Sequence, residues 1–140
     1  MTNTSRGSVK DYVSFEDETF RASSISSGVA SSVNRYISKR CMGAPPLRTN
    51  EILDEINKYI ESQIEPETTR GAREFVAKNM IGKSDDEKID AYTKRKGDYR
   101  REIGKEVMSD IRKKPIEDFL SDVGDFIIAG SSKTAQSYSV

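Results

Sequence analysis

Thirty residues between Ser84 and Pro115 contain no proline, and they open on Ser84-Asp85-Asp86-Glu87, the strongest helix-start signal in the chain. A serine three residues ahead of a glutamate can exchange side-chain and backbone hydrogen bonds with it, and acids in a first turn suit the helix dipole. The segment predicts one helix from about 85 to 114, roughly 45 Å long at 1.5 Å per residue. At 100° per residue, Ile89, Tyr92, Tyr99, Ile103 and Val107 fall within about 40° of one direction and form its apolar face. Lys94, Arg101, Lys105 and Arg112 fall on the opposite side, within about 20° of one line, as a straight ridge roughly 27 Å long.

The flanking segments carry the same helical period. Thr49 or Asn50 can cap a helix with Ile52, Leu53, Ile56, Tyr59 and Ile60 on one face, and Pro66 lies beyond its end. Thr68 or Thr69 then opens a shorter helix with Phe75, Val76, Met80 and Ile81, closed by Gly82. Pro115 suits the first position of a last helix, with Ile116, Phe119, Leu120, Val123 and Ile127 as its buried stripe and Gly130 as its stop. No pair of strands with a hairpin signal is evident. The fold class read from these signals is all-α: a small bundle of about four helices, with an extended or helical N-terminal arm and a flexible C-terminal tail. The divisions are 1–48 (arm and Pro45-Pro46 linker), 49–130 (helical core) and 131–140 (tail).

The arm carries its own stripe: Ile25, Val29, Val33, Tyr36 and Ile37. It is set among Ser23, Ser24, Ser26, Ser27, Ser31 and Ser32, so the helix has little intrinsic stability and needs a surface to lie on. Ile, Leu, Val and Phe supply only 29 of 140 residues, so the core is small for its length. Both points suggest completion by another molecule, with these five residues as the partner-binding face.

Charge is balanced overall, 23 basic against 23 acidic side chains, but not locally. Residues 94–114 hold nine basic and four acidic groups, whereas 49–93 hold six and eleven. The ridge reads as a solvated face, as a contact for the acidic surface of a neighbouring copy, or as a row of phosphate contacts. Gly97 and Gly104, seven apart, read either as a place where another backbone comes close or as a bend.

Enzymatic chemistry is disfavoured. With no histidine and only Cys41, one chain cannot build a Ser-His-Asp triad, a Cys-His pair or a Cys/His zinc site. Ala77 to Ser84 fits a loose phosphate-loop pattern with Ala for the first Gly, but no strand precedes it, and Ser84 is better explained as a cap. Asp85, Asp86, Glu87 and Asp90 lack the spacing of a calcium loop. No cofactor or metal site is expected, and no signal peptide or membrane span is evident. The expected location is the cytoplasm or the interior of a macromolecular assembly.

The expected function is a non-enzymatic interaction protein, a subunit or adaptor of a larger complex such as a filament, virion or secretion-type assembly. Its partners would be proteins, including copies of itself. The alternative is a small nucleic-acid-binding or transcription-associated protein that uses the Lys94, Arg101, Lys105 and Arg112 ridge.

Overall fold

Ser84 caps its helix as its sequence implies. Its hydroxyl accepts from the Glu87 N–H at 3.2 Å and donates to the Glu87 carboxylate at 3.0 Å. The computed structural model describes residues 7–138, and the side chains of residues 7–130. Its helices are α1 (Ser27–Arg40), α2 (Thr49–Asn79), α3 (Asp85–Lys113) and α4 (Ile116–Tyr138), and the fold is a small all-α bundle. Helix α4 continues past Gly130, where the sequence suggested a stop.

Helix α2 departs from the expected pair of shorter helices. It runs unbroken from Thr49 to Asn79 with Pro66 inside it. A proline removes one intrahelical bond and crowds the preceding turn. Here Pro66 is exposed, while Ile60, Ile64, Thr68 and Ala72 on either side of it are buried. Burial on both flanks therefore holds the helix through the proline. Thr68, expected to open a new helix, sits in the interior and donates its hydroxyl to the Ile64 carbonyl at 2.8 Å. The start of α2 is also shifted. Arg48 is the N-cap, and the Glu51 carboxylate accepts from its N–H at 2.8 Å.

The segment read as having no strand pair contains one. Strands β1 (Val13–Glu16) and β2 (Arg21–Ile25) form an antiparallel hairpin in the register Val13↔Ile25, Ser14↔Ser24, Phe15↔Ala22 and Glu16↔Arg21. The register shifts between Ser14 and Phe15, which places a bulge opposite them in β2. Two features hid the hairpin. The bulge breaks the alternation of period two, and the connecting turn lacks the usual glycine or asparagine. Phe20 takes the left-handed conformation in their place, at φ 57°, an uncommon backbone state for a bulky residue. Its ring is buried against Gly104 of α3, where an added Cβ would lie 2.5 Å from the ring. That glycine thus admits an aromatic side chain, not a backbone, and nothing lies within 4 Å of a Cβ at Gly97.

Two asparagines fix the non-helical segments to the helices. Asn57 on α2 accepts from the Ala22 N–H at 2.7 Å and donates to the Ala22 carbonyl at 3.1 Å, taking the place of a third strand beside β2. Asn34 on α1 makes the same pair with Leu47, both bonds at 2.8 Å, and so pins the far end of the Pro45-Pro46 linker. Replacing Asn57 with Leu keeps the branched shape but strands both Ala22 groups. The expected cost is about 1–3 kcal/mol, since an unmade buried hydrogen bond costs more than a made one contributes. Urea unfolding measures it; an unchanged midpoint would show that the clamp carries no stability.

The N-terminal segment is part of the hydrophobic core. Val9, Val13, Phe20, Ala22, Val29, Val33 and Ile37 are buried in one cluster with Ile52, Ile56, Ile60, Phe119 and Val123. The backbone adds to this junction: Val9 N–H donates to the Lys114 carbonyl at 3.0 Å and Ile116 N–H to the Gly7 carbonyl at 3.1 Å. A chain with few large apolar residues has thus gathered them from both ends into one core.

Candidate functional site

Helices α2 and α3 form an antiparallel hairpin whose inner half joins the core and whose outer half does not. From Thr69 to Ile103, only Ala72 is buried. The apolar face predicted for α3 is therefore only partly covered. Tyr92, Tyr99, Ile103 and Val107 are half-buried and Ile89 is 61 % exposed. Side chains of opposite charge close the seam. Arg100 meets the Glu61 carboxylate at 2.6 Å and Lys96 meets Glu65 at 2.7 Å. The Lys96 hydrogen bond holds the Glu65 carboxyl below its ordinary pKa and raises the ammonium above its own. Further out, the Tyr99 ring lies against Gly71, and the Arg95 guanidinium stands 3.9 Å from the centre of the Phe75 ring.

The acidic character of residues 49–93 is thus partly satisfied within the chain, by Lys96 and Arg100 and not by the ridge. Of the ridge residues, Lys94 and Lys105 are exposed. Arg101 pairs with Asp98 at 2.5 Å, and Arg112 pairs with Asp17 in the hairpin turn. Two of the four cations are therefore held by carboxylates.

The five residues expected to face a partner from the arm are largely covered by their own chain. Val29, Val33 and Ile37 are buried, with α1 packed on α4 and α2. Ile25 is half-buried at the end of β2 and precedes α1, so it is not in helical step with the others. Tyr36 is half-buried across Gly124 of α4, its hydroxyl donating to the Asp125 carboxylate at 2.6 Å. That bond raises its pKa above the ordinary tyrosine value. The serine-rich helix does need a surface, as its composition implies, and α2 and α4 provide it.

Among the described residues, the large apolar side chains left uncovered are Met42, 94 % exposed just after α1, and two on the α2–α3 hairpin. Ile81 is 80 % exposed in the turn between α2 and α3, and Ile89 lies in the second turn of α3. Half-buried Phe75, Val76, Met80 and Tyr92 share this end of the hairpin. By sequence, Ile81 ends a short helix closed by Gly82 and Ile89 lies on the apolar face of α3. The signal against that was the turn itself: Met80-Ile81-Gly82 places two large apolar residues where polar ones are usual, and Gly82 adopts φ 80° there. The loose phosphate-loop match spans this helix end, turn and cap, with no strand before it. Among the described residues, no helix is long and apolar enough to cross a membrane. Comparison with protein-family models, curated proteins and solved structures finds no match.

Proposed function

We propose that this protein is a non-enzymatic interaction and assembly component that pairs with a second copy of itself through the outer end of the α2–α3 hairpin. The observation that carries this reading is the exposure of Ile81 and Ile89 on an element only two helices thick. Helices of this kind gain most of their stability from packing an apolar face, and one neighbour covers only part of it. Two such hairpins laid together give each helix a second neighbour, the arrangement of a four-helix bundle.

The charges at this end suit a like partner. Residues 75–92 hold Lys78, Lys83 and Lys88 against Asp85, Asp86, Glu87 and Asp90. Two copies therefore meet without strong repulsion, and the acidic first turn of one α3 has lysines to meet in the other. The apolar stripe of α1 is spent inside the fold and takes no part in this pairing. A continuous phosphate track along α3 is not favoured either, because the Asp98 carboxylate on Arg101 interrupts the row of cations.

Measuring mass in solution across a concentration series tests the reading. The native chain is expected to shift from monomer to dimer as concentration rises, and the double variant Ile81→Asp, Ile89→Asp to stay monomeric with its thermal midpoint within a few degrees of the native value. A native chain that remains monomeric at millimolar concentration removes the proposal.

A further inference from the structure

The inner end of the ridge differs from the rest of it. Lys105 and Arg112 lie on the same face of α3 as Met108 and Ser109 and border a groove of about 450 Å³. Lys113 lies beside them, and Lys10 closes the groove from the short 3-10 turn Val9–Asp11. Four cations thus surround one depression, and Asp17 is the one acid that lines it. The floor is apolar, made by Phe20 and Met108, both buried. Arg112 is held in place from two sides, by Asp17 and by the Phe15 ring 5.5 Å from its guanidinium carbon. Lys10, Lys105 and Lys113 make no ion pair among the described residues.

From this arrangement the geometry points to a binding site for a diphosphate group. Three positive charges in excess within one groove are not needed by the fold, since none of the lysines supports a neighbour. Mutual repulsion among them is relieved by a compact ligand of similar negative charge. A guanidinium carries five N–H donors in a fixed fork, so Arg112 can keep Asp17 and still offer N–H groups to phosphate oxygens. Lysine ammonium groups approach as mobile point charges from either wall. The Ser109 hydroxyl adds a neutral donor on the same face. A single phosphate is small for a groove of about 450 Å³ and leaves positive charge unmatched, whereas a diphosphate is larger and carries a charge closer to the excess. A long polyanion lying along α3 is less well matched, because Arg101 is already paired with Asp98.

Titration of the full-length chain with inorganic pyrophosphate, followed by calorimetry or amide chemical shifts, tests the assignment. Saturable one-to-one binding is expected, weakened about tenfold between 50 and 200 mM salt as the ions screen several charges on each side. The double variant Lys105→Glu, Lys113→Glu changes only exposed side chains and should melt like the native chain while losing more than tenfold in affinity. Lys94→Glu, on the same ridge but outside the groove, should bind as the native chain does. ADP in place of pyrophosphate separates two sources of the same group. Tighter binding of ADP with shifts at Phe20 indicates a nucleoside diphosphate, and equal binding indicates the free anion; either supports the site. An equal loss in Lys94→Glu, or preference for an oligonucleotide that strengthens with its length, would show general charge attraction and overturn the proposal. So would the absence of saturation by millimolar pyrophosphate at low salt.

Discussion

Deletion of residues 1–48 is expected to abolish the folded state. Among the described residues, the segment supplies eight of the twenty buried apolar side chains. Six of them are Val, Ile or Phe, and burial of each is worth about 1.5–3 kcal/mol. Their loss, on the order of 9 kcal/mol or more, matches or exceeds the net stability of a small domain, about 5–15 kcal/mol. The deletion also exposes Ile52, Ile56 and Val123 to water and strands the side-chain amide of Asn57. Circular dichroism and a thermal scan measure the outcome: low helicity and no cooperative transition. A truncated chain with a sharp melt near that of the parent would mean that residues 49–138 form the folding unit by themselves and that the N-terminal segment only decorates it.

Phe119→Ala carries the largest effect expected of any single substitution. Its ring is 0 % exposed and meets Tyr59 edge-on, with centroids 6.0 Å apart and planes at 79°. Tyr59 in turn meets Phe126 at 5.8 Å, so Phe119 begins a row of three rings between α2 and α4. Truncating a buried Phe to Ala removes its transfer energy and leaves a cavity, together about 3–5 kcal/mol. Phe126→Ala, at a half-buried position, should cost clearly less. Denaturant unfolding of both variants provides the comparison; similar losses would mean that the ring row, and not the depth of burial, sets the energetics.

Helix type and core membership were legible wherever strong local signals and apolar period agreed. The box at Ser84 and the stripe Ile116, Phe119, Leu120, Val123 and Ile127 are of this kind: Leu120 is half-buried and the other four are buried. Illegible features were those in which a distant contact overrides a local rule. Pro66 is a helix breaker by its chemistry, yet burial of Ile64 and Thr68 on either side keeps α2 intact. Phe20 is a poor turn residue by its backbone preference, yet the notch at Gly104 accepts its ring. Asn34 and Asn57 look like ordinary polar helix residues; that each clamps one backbone unit far along the chain has no local signature. The stripe on α1 was recognised as one that must be covered, and what covers it could not be read from spacing. The ridge was legible as a line of charge. That its inner end meets Lys10, Asp17 and Phe20 to enclose a groove depends on a 3-10 turn and a hairpin that have no helical signature.

The stitches between Gly7 or Val9 and the corner of α3 and α4, together with the Tyr36–Asp125 bond, tie the first described residues to positions 114–125. A nascent chain on the ribosome cannot close these contacts until residues near 125 have cleared the exit tunnel. The β-hairpin and α1 therefore wait for α4, with Val29, Val33 and Ile37 not yet fully covered. Non-local closure of this kind slows folding and lengthens the interval in which chaperones or other nascent copies meet exposed apolar surface. The serines spread through α1 keep that waiting segment hydrated until its cover arrives.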